Sequence, residues 1–493
     1  MALSQWYLAS ANQFPLTFLA RDEVSPTAAC QQSCAELTLE FGSAVHPGGN
    51  DSTFVIWDAK QQEVVPACRV EPTTAVQVSR IIDILIGHWC RFAVKGGGHS
   101  TNPDASNSIG GVTIDLHNMN HVEILDNSTR ANLGPGLILY EAYTALEKHN
   151  LTTVAGRVAD VGVPGFTLGG GFSNLGPQYG LAADNVFEYQ VVLPNATIVN
   201  VSETVNPDLY FALRGGGNNF GIVTNFQVRV IPQGTVMGGL KTYHDNYTDA
   251  LTEQSYELTT VLSNDTYMCF SNRYYWDPEQ NRYRMTFNQA YTKPVLKPAV
   301  FDALNQIPFE DSNIRLDYVS NFTTDEVATY GSRRVYATVT HRPSQKLHKD
   351  ILQIYRDEVE GVKNVAGFSS SIVVQALHLN AIQAMKNRGG NALGVESDVP
   401  LTVVLLTLGW TNKVDDTVMY AYADRWVERA TTAATEMALL HRWKYINYAN
   451  YNQDPFSGYG EENKLRLQRI QKSIDSKGIF TSQGLCRGSF KVL

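Results

Sequence analysis

The sequence predicts an α+β protein with two lobes, and three observations lead to that prediction. From Val64 onwards, short apolar strands alternate with amphipathic helices, which is typical of a sheet with helical connections. Three glycine-rich tracts, each joined to strands, lie in the N-terminal half, whereas aromatic residues become frequent and glycine scarcer after Pro232. At 493 residues the chain exceeds one ordinary core, so more than one lobe is expected.

Composition and charge narrow the class of protein. Hydrophobic residues make up 43% of the chain and charged residues 18%, an ordinary globular balance with enough apolar material for a core. The formal net charge is -9 and no basic cluster occurs, so nucleic acid is not an expected partner. No apolar run reaches membrane-spanning length and no His/Cys spacing suits zinc. We therefore expect neither a membrane span nor a metal site.

The cysteines and the N-glycosylation sequons indicate whether the protein is secreted or intracellular. A disulfide between Cys68 and either Cys30 or Cys34 is one prediction, and the alternative is that all six cysteines are free thiols. The segment Met1 to Ala28 lacks the positive n-region and the unbroken apolar stretch of a signal peptide. The eight N-x-S/T sequons nevertheless favour secretion. They lie at Asn50, Asn127, Asn150, Asn195, Asn200, Asn246, Asn264 and Asn321.

The first lobe is predicted to begin with a strand over 66–70, followed by a helix for which Thr73 is the candidate N-cap. The predicted apolar face of this helix comprises Val76, Ile81, Ile82 and Leu85. Further strands are predicted over 112–116, 122–125, 186–193, 196–201 and 226–230, with a helix over 139–149.

The change in composition after Pro232-Gln233-Gly234 predicts a domain boundary. We predict a first domain over 1–234 with its core from about residue 62, a substrate-binding domain over 235–435, and a C-terminal segment over 436–493 that returns to the first domain. Elements of the second domain are predicted as a helix over 346–359 and strands over 371–377 and 401–410, the last one central and buried. A Tyr/Asn-rich strand near Tyr445 and a polar helix over 463–473 are predicted in the C-terminal segment.

The three glycine tracts suggest a long, thin ligand. They are Lys95–Ser100, Gly156–Phe172 and Phe211–Thr224. Glycine permits φ > 0 and leaves backbone N–H groups free to converge on an anion, so several such loops suit a dinucleotide with a pyrophosphate. The G-x-G-x-x-G, G-x-x-x-x-G-K-[ST], H-E-x-x-H and G-x-S-x-G motifs are all absent, so Rossmann, P-loop, zinc-protease and α/β-hydrolase interpretations lack support. Glycine turns in an ordinary α+β domain remain the alternative.

Taken together with their flanking motifs, these tracts resemble those of the berberine bridge enzyme-like flavoproteins, in the vanillyl-alcohol oxidase/PCMH superfamily. The resemblance extends from about Pro66 to Phe480. The motifs that carry it are Lys95–Ser100, Val112–Leu116, Gly162–Gly171, Asp184-Asn185, Ala212–Val223, Tyr445–Tyr448 and Tyr459-Gly460, with a tract common in fungal-type members at Gly389–Gly394. It implies a two-lobed α+β fold, with a PCMH-type FAD-binding domain and a substrate domain whose antiparallel sheet is covered by helices.

The resemblance implies that FAD is the cofactor and that His99 bonds covalently to its 8α carbon. A second covalent link is not expected, because Val158 occupies the position of the second-link cysteine and no cysteine lies between Cys90 and Cys269. Phe166 stands where plant relatives often have histidine. The other residues implied to contact the cofactor are Lys95, Gly96, Gly97, Gly98, Ser100, Val161, Gly162, Gly169, Gly170, Gly171, Asn174, Asp184, Asn185, Gly221, Ile222, Val223 and Asn447.

By the same resemblance Tyr448 is the first candidate for the catalytic base and Tyr445 the second. If the segment is a strand, Tyr445 and Asn447 share one face and Tyr448 lies on the other, so only local twisting would bring both tyrosines to the flavin. A phenol with an ordinary pKa of about 10 also needs a neighbouring cation or hydrogen-bond donor to act as a base, and the sequence does not identify one. Buried structural tyrosines are the alternative.

We therefore predict an FAD-dependent oxidase that removes a hydride from an alcohol, sugar or secondary-metabolite C–H bond and passes electrons to O2, giving H2O2. Val161 stands at the position associated with oxygen access in the family and favours an oxidase, although core packing would also favour valine. One alternative is a flavin dehydrogenase or oxidative cyclase of secondary metabolism with poor O2 reactivity. Another is a non-catalytic flavin- or carbohydrate-binding protein. We expect a secreted monomer whose partners are a small-molecule substrate and O2.

Overall fold

The computed structural model describes residues 27–49, 51–261, 263–326 and 329–493. The sequon at Asn50 lies outside these residues. So does the range 1–26, which is most of the segment that lacks the signal-peptide pattern.

Helices and strands alternate along the described part of the chain, as predicted for an α+β fold. The helices are α1 (Ala28–Phe41), α2 (Ala59–Gln62), α3 (Ala75–His88), α4 (Leu139–Glu147), α5 (Val163–Leu168), α6 (Gly176–Tyr179), α7 (Pro207–Leu213), α8 (Thr248–Thr260), α9 (Asp302–Gln306), α10 (Val319–Thr323), α11 (Gln345–Glu360), α12 (Leu379–Ala384), α13 (Asp416–Glu436), α14 (Pro455–Gly458) and α15 (Glu461–Ile474). The strands are β1 (Val45–Pro47), β2 (Cys68–Val70), β3 (Phe92–Lys95), β4 (Val112–Asp115), β5 (Val122–Leu125), β6 (Arg130–Leu133), β7 (Leu151–Thr153), β8 (Val186–Val192), β9 (Ile198–Ser202), β10 (Ile222–Pro232), β11 (Val236–His244), β12 (Met268–Asp277), β13 (Arg282–Tyr291), β14 (Asp311–Ser312), β15 (Arg315–Asp317), β16 (Arg333–His341), β17 (Ser369–Leu377) and β18 (Leu401–Trp410). None of the described helices is long and apolar enough to cross a membrane.

The first sheet positions the glycine–histidine loop. Its strand order is β1-β2-β4-β3, with β4 parallel to both of its neighbours. At the end of the β3–β4 ladder Lys95 lies opposite Asp115, and Lys95 Nζ donates to Asp115 Oδ1 at 3.0 Å. Because β3 ends at Lys95, this buried ion pair fixes the point at which the loop leaves the sheet.

Two antiparallel sheets make up the rest of the fold. The second sheet has the order β5-β6-β10-β8-β9, with β7 also paired to β10. The third has the order β14-β11-β13-β12-β17-β18-β16, with β15 paired to β11. The prediction for Leu401–Trp410 is confirmed, since this strand is almost wholly buried and hydrogen-bonded on both sides.

Helices cover the third sheet and supply one of the hydrophobic cores. The longer ones are α8, α11 and α13, which pack together with strands β16, β17 and β18. In α11 the apolar residues Leu347, Ile351 and Tyr355 recur at a spacing of four, so they share the buried face. Ser344 caps this helix by accepting a hydrogen bond from the Leu347 N–H.

Helix α3 begins one residue later than the predicted cap implies. The N-cap is Thr74, whose hydroxyl accepts from the Gln77 N–H at 3.2 Å, whereas the Thr73 hydroxyl bonds the Gln77 side chain. Val76 is consequently 69% exposed, and its assignment to the apolar face was wrong. Val78 takes its place on the buried face, which completes an i, i+3, i+4, i+7 pattern with Ile81, Ile82 and Leu85.

Two disulfides attach α1 to the first sheet region. Cys34–Cys68 confirms one of the two predicted pairings, and Cys30–Cys90 is a second bond that the sequence analysis missed. Cys30 and Cys34 are four residues apart on α1 and therefore lie on one face of the helix, where both can reach the same core.

The described residues form three hydrophobic cores. One core surrounds the first sheet and includes Phe480, and another surrounds the second sheet and includes Trp443 and Tyr459. The third belongs to the third sheet. The strands up to Pro232 lie in the first two sheets and those from Val236 in the third. The division into domains after residue 234 remains a prediction.

Candidate active site

The three glycine tracts and the C-terminal tyrosines meet around a cavity of about 350 Å³. Its walls come from 96–102, 156–169, 217–223 and 445–449, which are remote from one another in the sequence. Further lining side chains are Val94, Leu116, Leu139, Phe172, Tyr336, Leu405, Phe480 and Phe490. Such a cleft, with apolar walls and a few polar groups, is typical of ligand-binding sites.

The glycine–histidine loop presents free donors to this cavity. The backbone N–H groups of Gly97, Gly98, His99 and Ser100 make no hydrogen bond to any other residue that the structure describes. Gly97 also contacts the second tract so closely that a Cβ on it would lie 2.4 Å from the Gly162 nitrogen. Only glycine permits that approach, and the unpaired N–H groups suit an anionic ligand.

His99 is held between an aromatic ring and a carboxylate. Its ring stacks on Trp57 with a centroid distance of 3.8 Å and an interplanar angle of 13°. Its Nε2 is buried without a hydrogen-bond partner among the described residues and lies 3.6 Å from Oδ1 of Asp160. Burial alone would raise the pKa of Asp160, but the attraction of the nearby His99 ring outweighs burial and holds this pKa below its ordinary value.

The segment around Tyr445 is not the strand that the sequence predicted. Ile446–Tyr448 is a 3-10 turn, in which Tyr448 N–H donates to the Tyr445 carbonyl at 2.9 Å. With three residues per turn, positions i and i+3 lie on the same side. The rings of Tyr445 and Tyr448 therefore meet edge to face, with centroids 4.6 Å apart, and both line the cavity without the local twisting that a strand would need.

The Tyr445 hydroxyl is occupied by the protein itself. It accepts from the N–H groups of Gly171 and Phe172 at 3.1 and 3.3 Å, and from Asn447 Nδ2 at 3.0 Å. Burial raises the pKa of Tyr445 well above its ordinary value. This phenol thus joins the second glycine tract to the C-terminal segment, and its surroundings favour the neutral form.

Tyr448 has a different environment, because it faces the cavity beside a cation. Arg157 Nη2 donates to the Tyr448 hydroxyl at 3.4 Å and also to the side-chain oxygen of Gln375. Burial lowers the pKa of Arg157, but charge attraction from Tyr448, Cys269 and Glu326 raises it above the ordinary value, so the guanidinium stays charged. Arg157 supplies the neighbouring cation that a tyrosine base requires and that the sequence analysis did not identify.

Most of the predicted site residues line the cavity. They are Gly96, Gly97, Gly98, His99, Ser100, Val161, Gly162, Gly169, Gly221, Ile222, Val223, Tyr445, Asn447 and Tyr448. The predicted residues outside the lining are Lys95, Gly170, Gly171, Asn174, Asp184 and Asn185. For this second group direct contact with the cofactor stays a prediction.

The residues outside the lining support its walls. The Gly171 N–H reaches Tyr445, and Lys95 pairs with Asp115. Asn185 donates to backbone carbonyls of the turn before β8, and Gly170 N–H to the carbonyl of Thr167. Asn174 lines a smaller neighbouring cavity of about 40 Å³.

Asp184 is a buried structural carboxylate. It accepts from Arg214 at 3.2 Å, from Asn391 at 2.8 Å and from the Leu181 N–H at 2.9 Å. Burial nevertheless raises its pKa to about 6. Asn391 belongs to the Gly389–Gly394 tract, so this cluster explains how that tract attaches to the first lobe.

Four further residues at the site were missed by the sequence analysis: Trp57, Arg157, Asp160 and Tyr336. Arg157 and Asp160 stand in the second glycine tract as charged residues between apolar ones, which is the signal that could have identified them. Trp57 and Tyr336 reach the site only through tertiary packing, for which no local pattern exists. No group of histidine, cysteine and acidic side chains that could hold a metal ion occurs in the described ranges.

The residues present fit a dinucleotide cofactor. Four free N–H groups and the His99 ring lie on one side of the cavity, and the tyrosine–arginine pair lines the same cavity. Fold and site together define the class as an FAD-linked oxidoreductase, and a family model described as an FAD binding domain matches residues 66–202. The chain belongs to a family of FAD-dependent fungal enzymes, and its fold is that of berberine bridge enzyme, as the following comparisons show.

The FAD-dependent monooxygenase tpcD of Cochliobolus heterostrophus is 33% identical to this chain over 495 residues, which cover 94% of each protein. Berberine bridge enzyme from Eschscholzia californica superposes with a TM-score of 0.74 at 18% identity, covering 92% of this chain and 98% of that one. Glucooligosaccharide oxidase from Acremonium strictum, described with a 6-S-cysteinyl, 8α-N1-histidyl FAD, gives a TM-score of 0.73 at 20% identity over 94% and 99% of the two chains. The predicted family, fold class and FAD-linked activity are thereby confirmed.

Proposed function

We propose that this FAD-linked oxidoreductase is an oxidase, which takes a hydride from an alcohol, sugar or secondary-metabolite C–H bond and gives H2O2. The observation that carries the proposal is the convergence of the His99 loop and the Tyr448–Arg157 pair on one cavity. When bound, FAD supplies the hydride acceptor and the route for electrons to O2. The protein supplies a place for the cofactor, a base and an enclosed pocket.

His99 is the residue proposed to bond FAD covalently. With Nε2 directed at Asp160, the other ring nitrogen, Nδ1, is the one left for the cofactor. The stack on Trp57 restrains the plane of the ring. Val158 lines the same cavity without a thiol, so the proposed linkage uses one histidine alone.

Tyr448 is proposed to remove the substrate proton while the hydride leaves. Its hydroxyl lies at the cavity surface, and the adjacent guanidinium of Arg157 stabilises negative charge on the phenolic oxygen. Tyr445 is not equivalent, because three N–H groups already occupy its oxygen. The two tyrosines therefore have different roles: Tyr448 accepts the substrate proton, and Tyr445 fixes the second glycine tract against the C-terminal segment.

Val161 lines the cavity and supports the choice of an oxidase. The name of the Cochliobolus heterostrophus relative, an FAD-dependent monooxygenase, favours a second candidate in which an oxygen atom enters the product. The two differ in the fate of O2. An oxidase releases it as H2O2, whereas a monooxygenase would transfer label from ¹⁸O2 to the product.

A peroxide-coupled screen of sugars, aromatic alcohols and phenolic polyketide-type compounds tests the proposal. The expected result is stoichiometric H2O2 with at least one class, and a product that carries no ¹⁸O when the reaction is run under ¹⁸O2. Turnover that incorporates ¹⁸O without H2O2 would instead favour the monooxygenase.

We also propose that the protein is secreted. The seven sequon asparagines within the described part of the chain are all exposed, and two disulfides are present. A fall in mass after treatment of the secreted protein with an N-glycosidase would support glycosylation. The monomeric state remains a prediction.

A further inference from the structure

Two smaller cavities share lining residues with the main cavity. Among the described residues, Arg157 alone lines all three of these cavities. Both of its hydrogen bonds, to Gln375 and to Tyr448, use Nη2 and reach neutral oxygen atoms. Nε and Nη1 donate to no residue that the structure describes. Three of the five N–H groups of a guanidinium are therefore available to a ligand.

Arg157 is half-buried, and like the buried Arg334 it has no carboxylate partner among the described residues. Three more deeply buried arginines do have such partners. Arg69 pairs with Asp51, Glu71 and Asp115, and Arg214 pairs with Asp184. Arg333, likewise, pairs with carboxylates on two sides.

For Arg157, no carboxylate in the described ranges lies within ion-pair distance, and Glu326 attracts it only from further away. A guanidinium taken out of water without a carboxylate is unfavourable, unless a ligand brings the missing negative charge. The planar fork of Arg157 suits a carboxylate or another delocalised oxyanion, which it can bind in a bidentate manner.

The walls around this cation are flat and apolar. Phe166, Phe172, Tyr336 and Leu405 line the cavity on which Arg157 opens. Aromatic walls are compatible with either a sugar or a planar aromatic guest. A neutral sugar would offer the free Nε and Nη1 donors of Arg157 no negatively charged acceptor, whereas an ionised planar molecule would satisfy both these donors and the walls.

We propose that Arg157 binds an anionic group of the substrate, and that the substrate is a planar organic acid, ionised as a carboxylate, phenolate or enolate. The proposal rests on the oxidase function proposed above and narrows its substrate class to acidic aromatic or polyketide-type molecules. The Tyr448 hydroxyl is adjacent, so the anionic group lies next to the substrate atom that gives its proton to Tyr448.

Binding of simple probes to the holoenzyme tests this without turnover. Calorimetric titration with benzoate and with its neutral isostere benzamide should show benzoate binding about tenfold more tightly or better, since a desolvated charge pair is lost with the amide. A parallel pair, 4-nitrophenolate and nitrobenzene, asks whether a phenolate is preferred. Tighter binding of either anion supports the proposal and identifies the kind of oxyanion.

Substitutions at Arg157 test anion binding independently of flavin binding and H2O2 formation. Arg157→Gln should abolish the preference for the anions, and Arg157→Lys should keep part of it. Arg442→Gln, which removes an exposed arginine paired with Glu396, should change nothing. Equal affinity of the wild type for both members of each pair, or unchanged anion binding by Arg157→Gln, would overturn the proposal. The amount of flavin retained and the H2O2 formed on reoxidation are measured separately, so failure of the oxidase proposal is recognised independently.

Discussion

At the scale of single residues, the site depends on which of two neighbouring phenols is free to act. Tyr445 and Tyr448 belong to the same short motif and their rings touch, yet one hydroxyl is held by three N–H donors and the other faces a guanidinium. The motif in the sequence identifies both residues but not their different roles, because those roles are created by Arg157 and by the glycine tract.

Tyr448→Phe should slow substrate-dependent flavin reduction by about 10²–10⁴-fold, the usual contribution of a general base. Stopped-flow absorbance under anaerobic conditions measures this rate, and flavin content should be unchanged.

Tyr445→Phe is the matched control for the substitution at Tyr448. It leaves the N–H groups of Gly171 and Phe172 without their acceptor, so it should lower the free energy of unfolding by about 1–3 kcal/mol and affect the reduction rate less. If reduction is as fast in Tyr448→Phe as in the wild type, the base is another group.

Asp160→Asn should impair covalent attachment of the cofactor. The Asp160 carboxylate lies 3.6 Å from His99 Nε2 and orients the imidazole by charge attraction. Loss of about 1.4 kcal/mol of this attraction corresponds to attachment that is about tenfold slower. The measurement is the fraction of flavin that stays with the protein after acid precipitation, followed over time after FAD is added to apoprotein.

A control for that experiment is Asp424→Asn, an exposed aspartate bonded to Asn452 and absent from the cavity lining. It should attach flavin at the wild-type rate. Wild-type attachment in Asp160→Asn would show that Asp160 does not orient His99.

At the scale of helices and strands, the periodicity of apolar residues predicted most of the longer elements that the structure contains. The strand over 401–410 and the helix near 346–359 are present because long apolar patterns dominate their local structure. Errors arose where a few polar contacts decide the geometry. Thr74, and not Thr73, caps α3, and a single 3-10 turn replaces the expected strand before Tyr448. Short motifs carry too little pattern to distinguish such turns from strands.

Two buried histidines near α11 predict that stability depends on pH. Burial lowers the pKa of His341 to about 4 and that of His348 to about 3, the latter also through repulsion from His341. The unfolded chain takes up protons near pH 6.5 but the folded chain does not. The stabilisation is therefore complete above about pH 6.5 and is lost as the pH falls towards 4 and 3.

Urea unfolding at about pH 7 and about pH 5 should show a loss of about 2 kcal/mol per histidine over that interval. His348→Gln should reduce the pH dependence by one such increment, while the exposed His149→Gln should not change it. An identical dependence in His348→Gln and the wild type would contradict the assignment.

At the scale of the whole molecule, a buried ionic cluster joins the first lobe to the third sheet near the site. Arg333 on β16 donates to Asp416 at 2.6 Å through both Nε and Nη2, and to Glu63 beyond α2. One residue further, the Arg334 N–H donates to Asp58 at 2.9 Å, and its guanidinium lies 4.3 Å from the centroid of Trp57, which carries the His99 stack. The cluster therefore connects the third sheet to Trp57, on which His99 stacks.

Arg333→Met should lower the free energy of unfolding by about 3–5 kcal/mol, because Asp416 would remain buried without its cation. Glu63→Gln is the comparison, since the Glu63 side chain is 51% exposed and its pair should contribute about 1 kcal/mol or less. Thermal and urea unfolding measure both. Equal effects of the two variants would show that burial of Asp416 is not what makes this cluster stabilising.

The sequence predicted the family, the α+β fold and most of the cavity-lining residues, because glycine tracts and flanking motifs are local patterns. It did not predict the second disulfide or the contacts of Arg157, Asp160 and Trp57, because these join segments that are far apart in the chain. Asp184 and Asn185, which the sequence assigns to the cofactor, hydrogen-bond to backbone groups of Leu181 and Tyr179, and their contact with the cofactor stays a prediction. Contacts between residues far apart in the chain cannot be predicted from the local patterns of a single sequence.

The central claim is that this cavity holds FAD and uses O2 as the electron acceptor, and reoxidation tests it without knowledge of the substrate. Holoenzyme reduced with dithionite is mixed with O2 in a stopped-flow instrument while flavin absorbance and H2O2 are recorded. We predict rapid reoxidation with stoichiometric H2O2. Slow reoxidation, with little H2O2 released, would contradict it.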